Sequence, residues 1–306
     1  MRVFRGLSQI SAVPRVLTIG NFDGVHLGHR RLLREVLRLS QTQGAVPTVL
    51  TFEPHPREFF SPDSAPPRLS CFREKIETLS ECGMEQVVVC SFNAALAKIP
   101  AQSFAEDILL KRLCVRHLVV GDDFCFGAGR QGDLSLLRRC FEKQGAQVEA
   151  LSEVAVGTER ASSSHVRAAL AEGDLPRAAR LLGRDYRMDG QVMPGQKLGR
   201  QLGFPTANVY IRHNPLPLSG VFAVRVETPE GKRLEGVANL GVRPTVGGTR
   251  PLLEVHLLDF SGDLYGQHLR VSFLQHLRRE EKFPDLAHLK AQIARDISAA
   301  RDYFRP

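Results

Sequence analysis

The segment GNFDGVHLGH, residues 20–29, carries residue types that are well suited to binding a phosphate. His26 and His29 are three residues apart, so their rings point the same way if the segment opens a helix. The first turn of a helix offers unpaired N–H groups and about half a positive charge, which attract anions. Imidazoles there can donate hydrogen bonds to a triphosphate, and Gly28 lets the backbone approach it closely. The segment therefore predicts a site for nucleotide phosphates.

The alternative for these two histidines is that they are solvated residues of an ordinary helix start. Their surroundings argue against it. The apolar run PRVLTI, a predicted buried strand, ends just before Gly20, and a predicted helix with one apolar and one cationic face follows. A strand, glycines and a helix start in this order are what a phosphate-binding turn requires.

Two further segments of the first half fit a nucleotide site. GDDFCFG, residues 121–127, follows the apolar run VRHLVV and so has the position of a substrate loop. SSSHVR, residues 162–167, opens a helix in which serine hydroxyls cap N–H groups and Arg167 can bind a phosphate. Taken by itself, this segment would be interpreted as an ordinary helix cap with a surface arginine. Because it occurs together with the histidine segment, we interpret it as a phosphate-binding segment.

A second glycine-rich segment, GQKLGRQLGFPTAN, spans residues 195–208. Gly195 and Gly199 allow the backbone to fold over phosphates, while Thr206 and Asn208 supply neutral oxygens suited to Mg²⁺. The segment lacks the G-K-[ST] ending of a Walker loop. It predicts a separate site for a magnesium nucleotide.

Glu254 interrupts the apolar run PLLEVHLLDF, a predicted strand. By strand alternation it shares a face with Leu252, His256 and Leu258. If that face looks into the mouth of a barrel, the carboxylate could accept a proton from a substrate hydroxyl, typically a ~10²–10⁴-fold effect. If it looks outward, Glu254 and His256 are ordinary solvated residues. The pattern alone slightly favours the outward arrangement.

Strands and helices alternate along the first half of the chain. The apolar runs PRVLTIG, VPTVLTF, QVVVCSF, VRHLVVG and QVEALSEV are separated by helical patterns, which include residues 72–82, 102–113 and 133–144. Strands separated by single helices predict an α/β fold with a doubly wound parallel sheet. In such sheets ligands bind at the carboxyl ends of the strands, so the loops after strands should carry the chemistry.

From Arg184 onward the pattern changes to β-type runs separated by turns that contain Gly and Pro. The runs MDGQVMPG, GVFAVRVET, LEGVANLG, PLLEVHLLDF and LRVSFLQHL predict a small antiparallel β-barrel. The tail PDLAHLKAQIARDISAARDYF predicts a C-terminal helix whose apolar stripe covers the barrel. We therefore expect two domains, residues 1–184 and residues 185–306.

Composition excludes several classes of protein. Of the 306 residues 43% are hydrophobic, which is too many for a chain that is disordered as a whole. No apolar run approaches the ~18 residues of a membrane helix, and the N-terminus lacks the apolar stretch of a signal peptide, so we expect a cytoplasmic protein. The six cysteines lie in the first half and form no CxxC pair, which predicts reduced thiols and no structural zinc site.

The net charge of +8 suggests anionic partners, and a nucleic-acid-binding module is the main alternative class of protein. The charge is spread evenly, however, with +4 on residues 1–184 and +4 on residues 185–306. A nucleic-acid-binding protein usually concentrates its positive charge in a stripe. Small phosphorylated ligands fit the even distribution at least as well, so we expect no specific nucleic-acid partner.

Taken together, the motifs resemble the family of bacterial bifunctional riboflavin kinase/FMN adenylyltransferases, also called FAD synthetases. The resemblance covers residues 15–304 through the segments GNFDGVHLGH, TFEPHP, GDDFCFG, SSSHVR, GRQLGFPTAN, GVANLGVRPT, EVHLLDF, DLYG and LRREEKF. One segment departs from the family pattern, because SSSHVR has Ser164 and Val166 where the family more often has Thr and Ile. Ser164 keeps the hydroxyl group of Thr, and Val166 keeps the branched shape of Ile.

The resemblance implies that the first half is a nucleotidyltransferase-like domain that transfers AMP from ATP to FMN and releases pyrophosphate. It implies that His26 and His29 act on the ATP phosphates as catalytic residues. Further phosphate contacts are expected from Gly20, Asn21, Gly28, Ser163, Ser164 and Arg167. Candidates for the flavin pocket are His55, Phe60, Asp123 and Phe124. No base is required, because the attacking phosphate of FMN is already ionised.

By the same resemblance the second half phosphorylates riboflavin to FMN. The attacking group is the terminal ribityl hydroxyl, whose high pKa makes a base useful, and the resemblance points to Glu254. Thr206 and Asn208 would bind Mg²⁺ with ATP, under the glycine-rich segment. Arg278 in LRREEKF would contact the flavin from a mobile loop, whereas the other charges of that segment are interpreted as solvated.

The implied partners are riboflavin, FMN, FAD, ATP, ADP and pyrophosphate, with Mg²⁺ as the cofactor and a weak homo-oligomer allowed. A closer alternative keeps the transferase domain but gives it another acceptor, such as a pantetheine or nicotinate nucleotide, with the barrel as a binding module. Flavin-like absorbance of the purified protein would separate the two.

Overall fold

A computed structural model describes residues 1–195, 199, 202–245 and 248–305. The chain divides into two compact units: residues 1–66 with 75–161, and residues 67–74 with 162–306. The helical residues between 162 and 184 therefore pack with the second unit, whereas the sequence places a boundary near residue 185. That functional boundary stays a prediction.

The first unit is built on a six-stranded parallel sheet, which confirms the predicted α/β doubly wound class. The strand order is β1-β4-β3-β2-β5-β6. The strands are β1 (Arg2–Arg5), β2 (Arg15–Ile19), β3 (Val46–Glu53), β4 (Gln86–Ser91), β5 (Val115–Gly121) and β6 (Gln147–Leu151), with a separate hairpin of β7 (Ala155–Val156) and β8 (Glu159–Arg160). The α-helices are α1 (Leu27–Gln43), α2 (Pro56–Phe60), α3 (Phe72–Glu81), α4 (Ala94–Ala97), α5 (Ala101–Ser103) and α6 (Leu134–Glu142), of which α3 begins in the second unit.

The point at which the sheet reverses its direction of growth lies between β2 and β5. From β2 the chain crosses to β3 on one side, and from β5 it crosses to β6 on the other. In doubly wound sheets the crevice outside the carboxyl ends of two such strands is where ligands bind. The segments of residues 20–29 and 121–127 begin at those two ends. The topology thus selects these two loops from all the loops that follow strands.

Two elements of this unit differ from the predicted ones. The predicted helix 102–113 is a turn of α5 followed by a π-helix, Phe104–Arg112. Its wide turn shows in the hydrogen bond that the Leu113 N–H donates to the Ile108 carbonyl, five residues earlier. Strand β1 was not predicted, because its residues are mostly exposed and an edge strand of this kind has no apolar alternation to detect.

In its described residues the second unit contains a closed antiparallel barrel and a C-terminal helix, as the sequence predicts, together with two shorter helices before the barrel. The strand order is β10-β13-β12-β11-β14-β9, closing on itself. The strands are β9 (Tyr186–Met193), β10 (Ala207–Tyr210), β11 (Gly220–Glu227), β12 (Arg233–Thr245), β13 (Gly248–Leu257) and β14 (His268–Arg278), and the helices are α7 (Ser163–Glu172), α8 (Leu175–Leu182) and α9 (Leu286–Phe304). The short strand β10 was not predicted. Only one of its four residues is buried, so it lacks a strand pattern of its own.

The barrel has an apolar interior and a second apolar cluster on its outside. Phe222, Ala238 and Val255 are successive cross-strand partners inside the barrel and are completely buried. On the outer face Val221 packs in a cluster with Ala300 of α9. The C-terminal helix therefore covers one side of the barrel wall, as its apolar stripe predicts.

The segment of residues 67–74 belongs to the second unit, to which it is joined by hydrogen bonds and a contact between a carboxylate and a histidine. Tyr186 Oη donates a hydrogen bond to the Leu69 carbonyl at 3.0 Å. Glu74 Oε1 accepts a hydrogen bond from the Asp189 N–H at 2.8 Å, and Glu74 Oε2 lies 3.1 Å from Nε2 of the buried His213. These contacts fix the start of α3 against β9.

Two expectations about the class of protein can be compared with the structure. In the part of the chain that the structure describes, no helix is long and apolar enough to span a bilayer. All six cysteines lie in described residues and none forms a disulfide, as expected. The cytoplasmic location stays a prediction.

Candidate active sites

The loop that leaves β2 is held in a strained conformation. Phe22 and Val25 have φ values of 50° and 45°, in the left-handed region that residues other than glycine rarely adopt, and both are completely buried. Gly24 between them has φ of 81°. Such residues cost about 1–3 kcal/mol each and occur where the surrounding structure enforces them, often at functional sites. The packing of this loop therefore fixes where α1 begins.

His26 is the N-cap of α1, and its ring stacks on the ring of His29. His26 Nδ1 accepts a hydrogen bond from the His29 backbone N–H at 3.4 Å. The two ring centroids are 3.7 Å apart, and those of His29 and Phe22 are 4.9 Å apart. A Cβ on Gly28 would lie 3.0 Å from the His26 ring, so glycine leaves that ring its room. The two imidazoles therefore form a preorganised pair on one side of the helix start, as their spacing of three residues predicts.

His29 is kept neutral by its surroundings. Burial, the neighbouring His26 and the cation of Lys75 all disfavour an imidazolium and lower the pKa of His29 well below its ordinary value of 6.5. Among the described residues Nδ1 of His29 is buried without a hydrogen-bond partner. Lys75 of α3 is itself only 4% exposed. Lys75 was not predicted as a site residue, because a lysine in an amphipathic helix normally faces water.

The other residues predicted in this loop have structural neighbours. The Asn21 carbonyl accepts a hydrogen bond from Thr51 Oγ1 at 3.3 Å, which ties the loop to β3. A Cβ on Gly20 would lie 3.2 Å from the Phe22 ring. Gly20 therefore allows the Phe22 side chain to close over the end of β2.

Two of the flavin candidates, His55 and Phe60, lie at the ends of α2. His55 is the N-cap of that helix, and its Nδ1 accepts a hydrogen bond from the Arg57 N–H at 3.1 Å. Phe60 is 65% exposed and forms an edge-to-face cluster with Phe59 and Phe92, with ring centroids 5.2–5.6 Å apart. Phe92 was missed, since it directly follows β4 and only the parallel sheet brings it beside the segment after β3.

Asp123 and Phe124 follow β5 and are engaged within the first unit. Asp123 Oδ2 accepts a hydrogen bond from Arg160 Nη2 at 2.8 Å, and Arg160 also pairs with Glu153. Phe124 stacks in parallel with Phe126, with ring centroids 5.7 Å apart. These contacts order the loop after β5, and the contact of either residue with a flavin stays a prediction.

The SSSHVR segment begins α7 and belongs to the second unit. Ser162 Oγ accepts a hydrogen bond from a backbone N–H of the first turn at 3.2 Å, so Ser162 is the capping serine. Arg167 Nε donates to the Pro67 carbonyl at 2.7 Å. Ser163 is half-buried and Ser164 is exposed. Phosphate binding by Ser163, Ser164 and Arg167 stays a prediction.

A cavity of about 260 Å³ lies between the outer wall of the barrel and α9. Glu254 of β13 lies in this wall, with Asn208 of β10 and Asn239 of β12 as its cross-strand partners on either side. These three side chains and Thr206 line the cavity, while apolar residues of α9 such as Ile293 close it from the other side. Three strands thus place a carboxylate and two amides in one row. Asn239 lies in the segment GVANLGVRPT that carries the family resemblance, but it was not predicted as a site residue.

The face that carries Glu254 and His256 is the outer face of the barrel. Their neighbours along β13, Leu253 and Val255, are completely buried and point inward by alternation. The strand therefore adopts the outward arrangement that the pattern slightly favours. It does not leave Glu254 in open solvent, because α9 packs over this face and converts it into the wall of a cavity.

The glycine-rich segment leaves room for oxygen ligands beside this cavity. A Cβ on Gly195 would overlap the side-chain amide of Asn208, and a Cβ on Gly199 would lie 3.2 Å from Thr206 Oγ1. The Phe204 N–H donates to the Gly199 carbonyl at 2.8 Å, which closes the loop. The oxygens of Thr206 and Asn208 thus lie in a cradle that larger residues would fill. Neutral oxygens of this kind fit Mg²⁺.

A second cavity, of about 410 Å³, lies on the other side of Thr206. Thr206 lines both cavities. The walls of the second cavity combine polar and apolar surface and include the aromatic side chains of Phe260 and Tyr265. A flat aromatic base is the kind of ligand that such walls accept.

Arg278 lines the first cavity but is held by α9. Its guanidinium donates three hydrogen bonds to the carboxylate of Asp296, at 2.8–3.1 Å, and lies 5.5 Å from the ring centroid of Phe283. Asp296 is 6% exposed, so this is a largely buried ion pair. It anchors the segment after β14 to the helix. Contact of Arg278 with a flavin stays a prediction. Asp296 was not among the site residues predicted from the sequence.

Comparison with protein families gives two matches that together span most of the chain. A family model described as FAD synthetase matches residues 9–165, and one described as riboflavin kinase matches residues 182–304. The first contains the paired histidines and the second contains the cavity with Glu254.

Several known proteins are similar to the chain over its full length. The bifunctional riboflavin kinase/FMN adenylyltransferase of Escherichia coli (strain K12) is 46% identical, over 99% of this chain and 98% of the relative. The enzymes of the same description from Pseudomonas fluorescens and Haemophilus influenzae are 46% and 42% identical, over at least 99% of both chains. A crystal structure described as a macrolide-efflux protein from Streptococcus pneumoniae has a TM-score of 0.85 at 26% identity and covers 98% of both chains.

Proposed function

The chain belongs to the family of bifunctional riboflavin kinase/FMN adenylyltransferases, and we propose that the two sites described above divide its reactions between them. The protein phosphorylates riboflavin to FMN and adenylylates FMN to FAD, with ATP as the donor in both steps. We assign the first reaction to the cavity with Glu254 and the second to the histidine pair. The observation that carries this assignment is that one site offers a carboxylate that can act as a base, whereas the other offers a pair of stacked imidazoles at a helix start.

In the kinase reaction Glu254 accepts the proton of the terminal ribityl hydroxyl. The hydroxyl oxygen forms a bond to the γ-phosphorus of ATP as the bond between that phosphorus and the β,γ-bridging oxygen breaks, so the products are FMN and ADP. An alcohol is a poor nucleophile at neutral pH, and a base within reach typically contributes ~10²–10⁴-fold. The position of Glu254 between Asn208 and Asn239 in the row supports this role, because both amides can orient the hydroxyl.

Thr206 and Asn208 would hold Mg²⁺ in the cradle left by Gly195 and Gly199. A bound Mg²⁺ neutralises charge on the nucleotide phosphates. We place the adenine of ATP in the second cavity, against Phe260, because Thr206 lies between that cavity and the one with the base. The γ-phosphate would then lie on the side of Glu254.

Gly195→Ala should raise the KM for MgATP in the kinase reaction by about tenfold or more, with the adenylylation of supplied FMN unchanged. The reason is steric, since the added Cβ overlaps the Asn208 amide. Steady-state kinetics with riboflavin in excess measures it. Asn208→Ala removes the displaced amide, so the double variant should be no worse than Asn208→Ala alone. An unchanged KM in Gly195→Ala would contradict the cradle.

The adenylylation reaction needs alignment and charge stabilisation but no base. An oxygen of the FMN phosphate bonds to the α-phosphorus of ATP, and pyrophosphate leaves with the bridging oxygen. We propose that His26 and the neutral His29 donate hydrogen bonds to the phosphates, beside the N-terminus of α1. Lys75 adds a nearby positive charge.

We propose that the aromatic cluster of Phe59, Phe60 and Phe92 supports the isoalloxazine ring of FMN. The cluster follows β3 and β4 at the carboxyl edge of the sheet, and Phe60 exposes most of its surface. The sequence contains no Trp, so phenylalanine is the main source of flat aromatic surface. Aromatic rings pair favourably in offset or edge-to-face arrangements.

The adenylylation rate should show no loss from protonation of His29 when the pH falls from about 8 to about 6.5. The folded-state pKa of His29 lies well below 6.5, so the ring stays neutral across that range. Below pH 6.5 the unfolded chain takes up a proton that the folded chain does not, so the first unit should lose stability as the pH falls. Rate measurements and thermal unfolding test this. A rate inflection near pH 6.5 that His29→Gln removes would contradict it.

The function itself is tested by incubating the protein with riboflavin and MgATP and separating FMN and FAD over time. We expect FMN to appear first and FAD to follow. Supplied FMN should give FAD directly. Transfer of AMP to a pantetheine or nicotinate nucleotide, with no reaction of flavins, would support the alternative acceptor instead.

A further inference from the structure

Glu280 is an exposed residue of the charged segment, but its side chain turns toward the barrel wall. Its carboxylate lies beside the side chain of Asn239 on β12, and Glu280 lines the cavity that contains Glu254. Partial burial of its carboxyl group raises the pKa of Glu280 above its ordinary value, against the lowering effects of Asn239 and Arg278. Glu280 is thus exposed, as the interpretation of a solvated run predicts, but its carboxylate also meets the barrel wall.

The barrel wall contains a notch that receives this carboxylate. A Cβ built on Gly241 would overlap the Glu280 carboxyl group. Gly241 lies two residues after Asn239 in β12, on the same face of the strand. Its φ is not positive, so the backbone does not require glycine there. Glycine at this position leaves a space in the barrel wall, and the Glu280 carboxyl group occupies that space.

The carboxylate keeps capacity for further hydrogen bonds. The guanidinium of the neighbouring Arg278 donates hydrogen bonds from Nε and Nη2 to the carboxylate of Asp296. A carboxylate has about four acceptor positions, and an amide such as that of Asn239 can both donate and accept. The pair of Asn239 and Glu280 can therefore bind several hydroxyl groups at once.

The position of this pair relative to Glu254 suggests which hydroxyls these are. Asn239 is the direct cross-strand partner of Glu254, so their Cβ atoms are about 4.5–5.5 Å apart. If the terminal hydroxyl of the ribityl chain is at Glu254, the next carbons of the chain must pass close to Asn239. Those carbons carry the secondary hydroxyls.

We propose that Asn239 and Glu280 bind the secondary hydroxyls of the ribityl chain and thereby select flavins with an intact polyol. This inference rests on the proposed role of Glu254 as the base of the kinase reaction. It makes Glu280 a specificity residue for riboflavin that acts on binding of the acceptor and leaves the nucleotide unaffected.

The first test compares Glu280→Gln with wild type. We expect the KM for riboflavin and the Kd from quenching of flavin fluorescence to rise about tenfold, because a charged acceptor is replaced by a neutral one. The KM for MgATP and the adenylylation of supplied FMN should not change. Glu227→Gln, at the opposite end of β11 from the cavity, is the matched control and should equal wild type.

Riboflavin analogues that lack one secondary hydroxyl identify the contact. If Glu280 binds a given hydroxyl, the deoxy analogue at that position should bind wild type and Glu280→Gln equally well. Equal weakening of riboflavin and of every deoxy analogue by Glu280→Gln would overturn the proposal. So would a Glu280→Gln variant that matches the control, or one whose KM for MgATP rises as much as that for riboflavin.

Gly241→Ala tests the same contact with Glu280 still present. Its Cβ should expel the carboxylate from the notch and raise the KM for riboflavin to a similar extent, and adding Glu280→Ala should cause little further loss. Additive losses would overturn the proposal. A wild-type protein that makes no FMN from riboflavin would instead refute the proposed function, and this inference with it.

Discussion

Glu254→Gln should reduce the rate of riboflavin phosphorylation by about 10²–10⁴-fold. Glutamine has nearly the same shape and can still hydrogen-bond to the ribityl hydroxyl, but its amide cannot accept the proton. The row of Asn208, Glu254 and Asn239 should therefore still bind riboflavin, so the loss should fall on kcat with little change in KM. Separation of FMN from riboflavin over time at saturating MgATP measures the rate.

The second activity of the same variant serves as a control for correct folding. Adenylylation of supplied FMN by Glu254→Gln should stay close to the wild-type rate, since the histidine pair belongs to the other compact unit. Glu254→Asp keeps a carboxylate but withdraws it by one methylene, so its kinase rate should lie between wild type and Glu254→Gln. Equal loss of both activities would contradict two separate sites, and an unchanged kinase rate would exclude Glu254 as the base.

His29→Ala should show the reverse pattern, with FMN adenylylation reduced by about 10²–10³-fold and riboflavin phosphorylation retained. The substitution removes a donor that is preorganised at the start of α1 by stacking on His26 and by contact with Phe22. Because His29 is neutral, its contribution is a directed hydrogen bond rather than a fixed positive charge. FAD formed from supplied FMN and MgATP is the measured product.

A donor-preserving variant separates chemistry from packing at this position. His29→Gln retains an N–H donor and should recover part of the lost rate, whereas His29→Phe retains the ring stacking and should not. Thermal unfolding of each variant reports on the fold. Full FAD formation by His29→Ala would remove this histidine from the mechanism.

Local sequence patterns were sufficient for the two fold classes and for most of the elements. Periods of alternating and helical hydrophobicity predicted the parallel sheet, the barrel and the C-terminal helix, because burial on one face leaves a regular trace in the sequence. Elements that bury little or turn differently escaped this approach. These were the exposed edge strand Arg2–Arg5, the four-residue strand Ala207–Tyr210 and the π-helix Phe104–Arg112.

The local geometry of the two candidate phosphate-binding motifs could also be predicted from the sequence, since each spans only a few residues. The spacing of His26 and His29 gives a shared side of a helix start, and the glycines before Thr206 give room for oxygen ligands. Both depend on backbone geometry that neighbours in the chain determine.

Contacts between distant segments were decided only by the tertiary structure. Strand alternation put Glu254 on the outer face of the barrel, but only the packing of α9 makes that face a cavity. Lys75 and Asn239 reach the two sites from separate elements, and Glu280 leaves a charged run to enter the notch at Gly241. A residue's own neighbours in sequence determine its helix or strand, whereas its partners across the fold depend on how whole elements pack, which no local pattern contains.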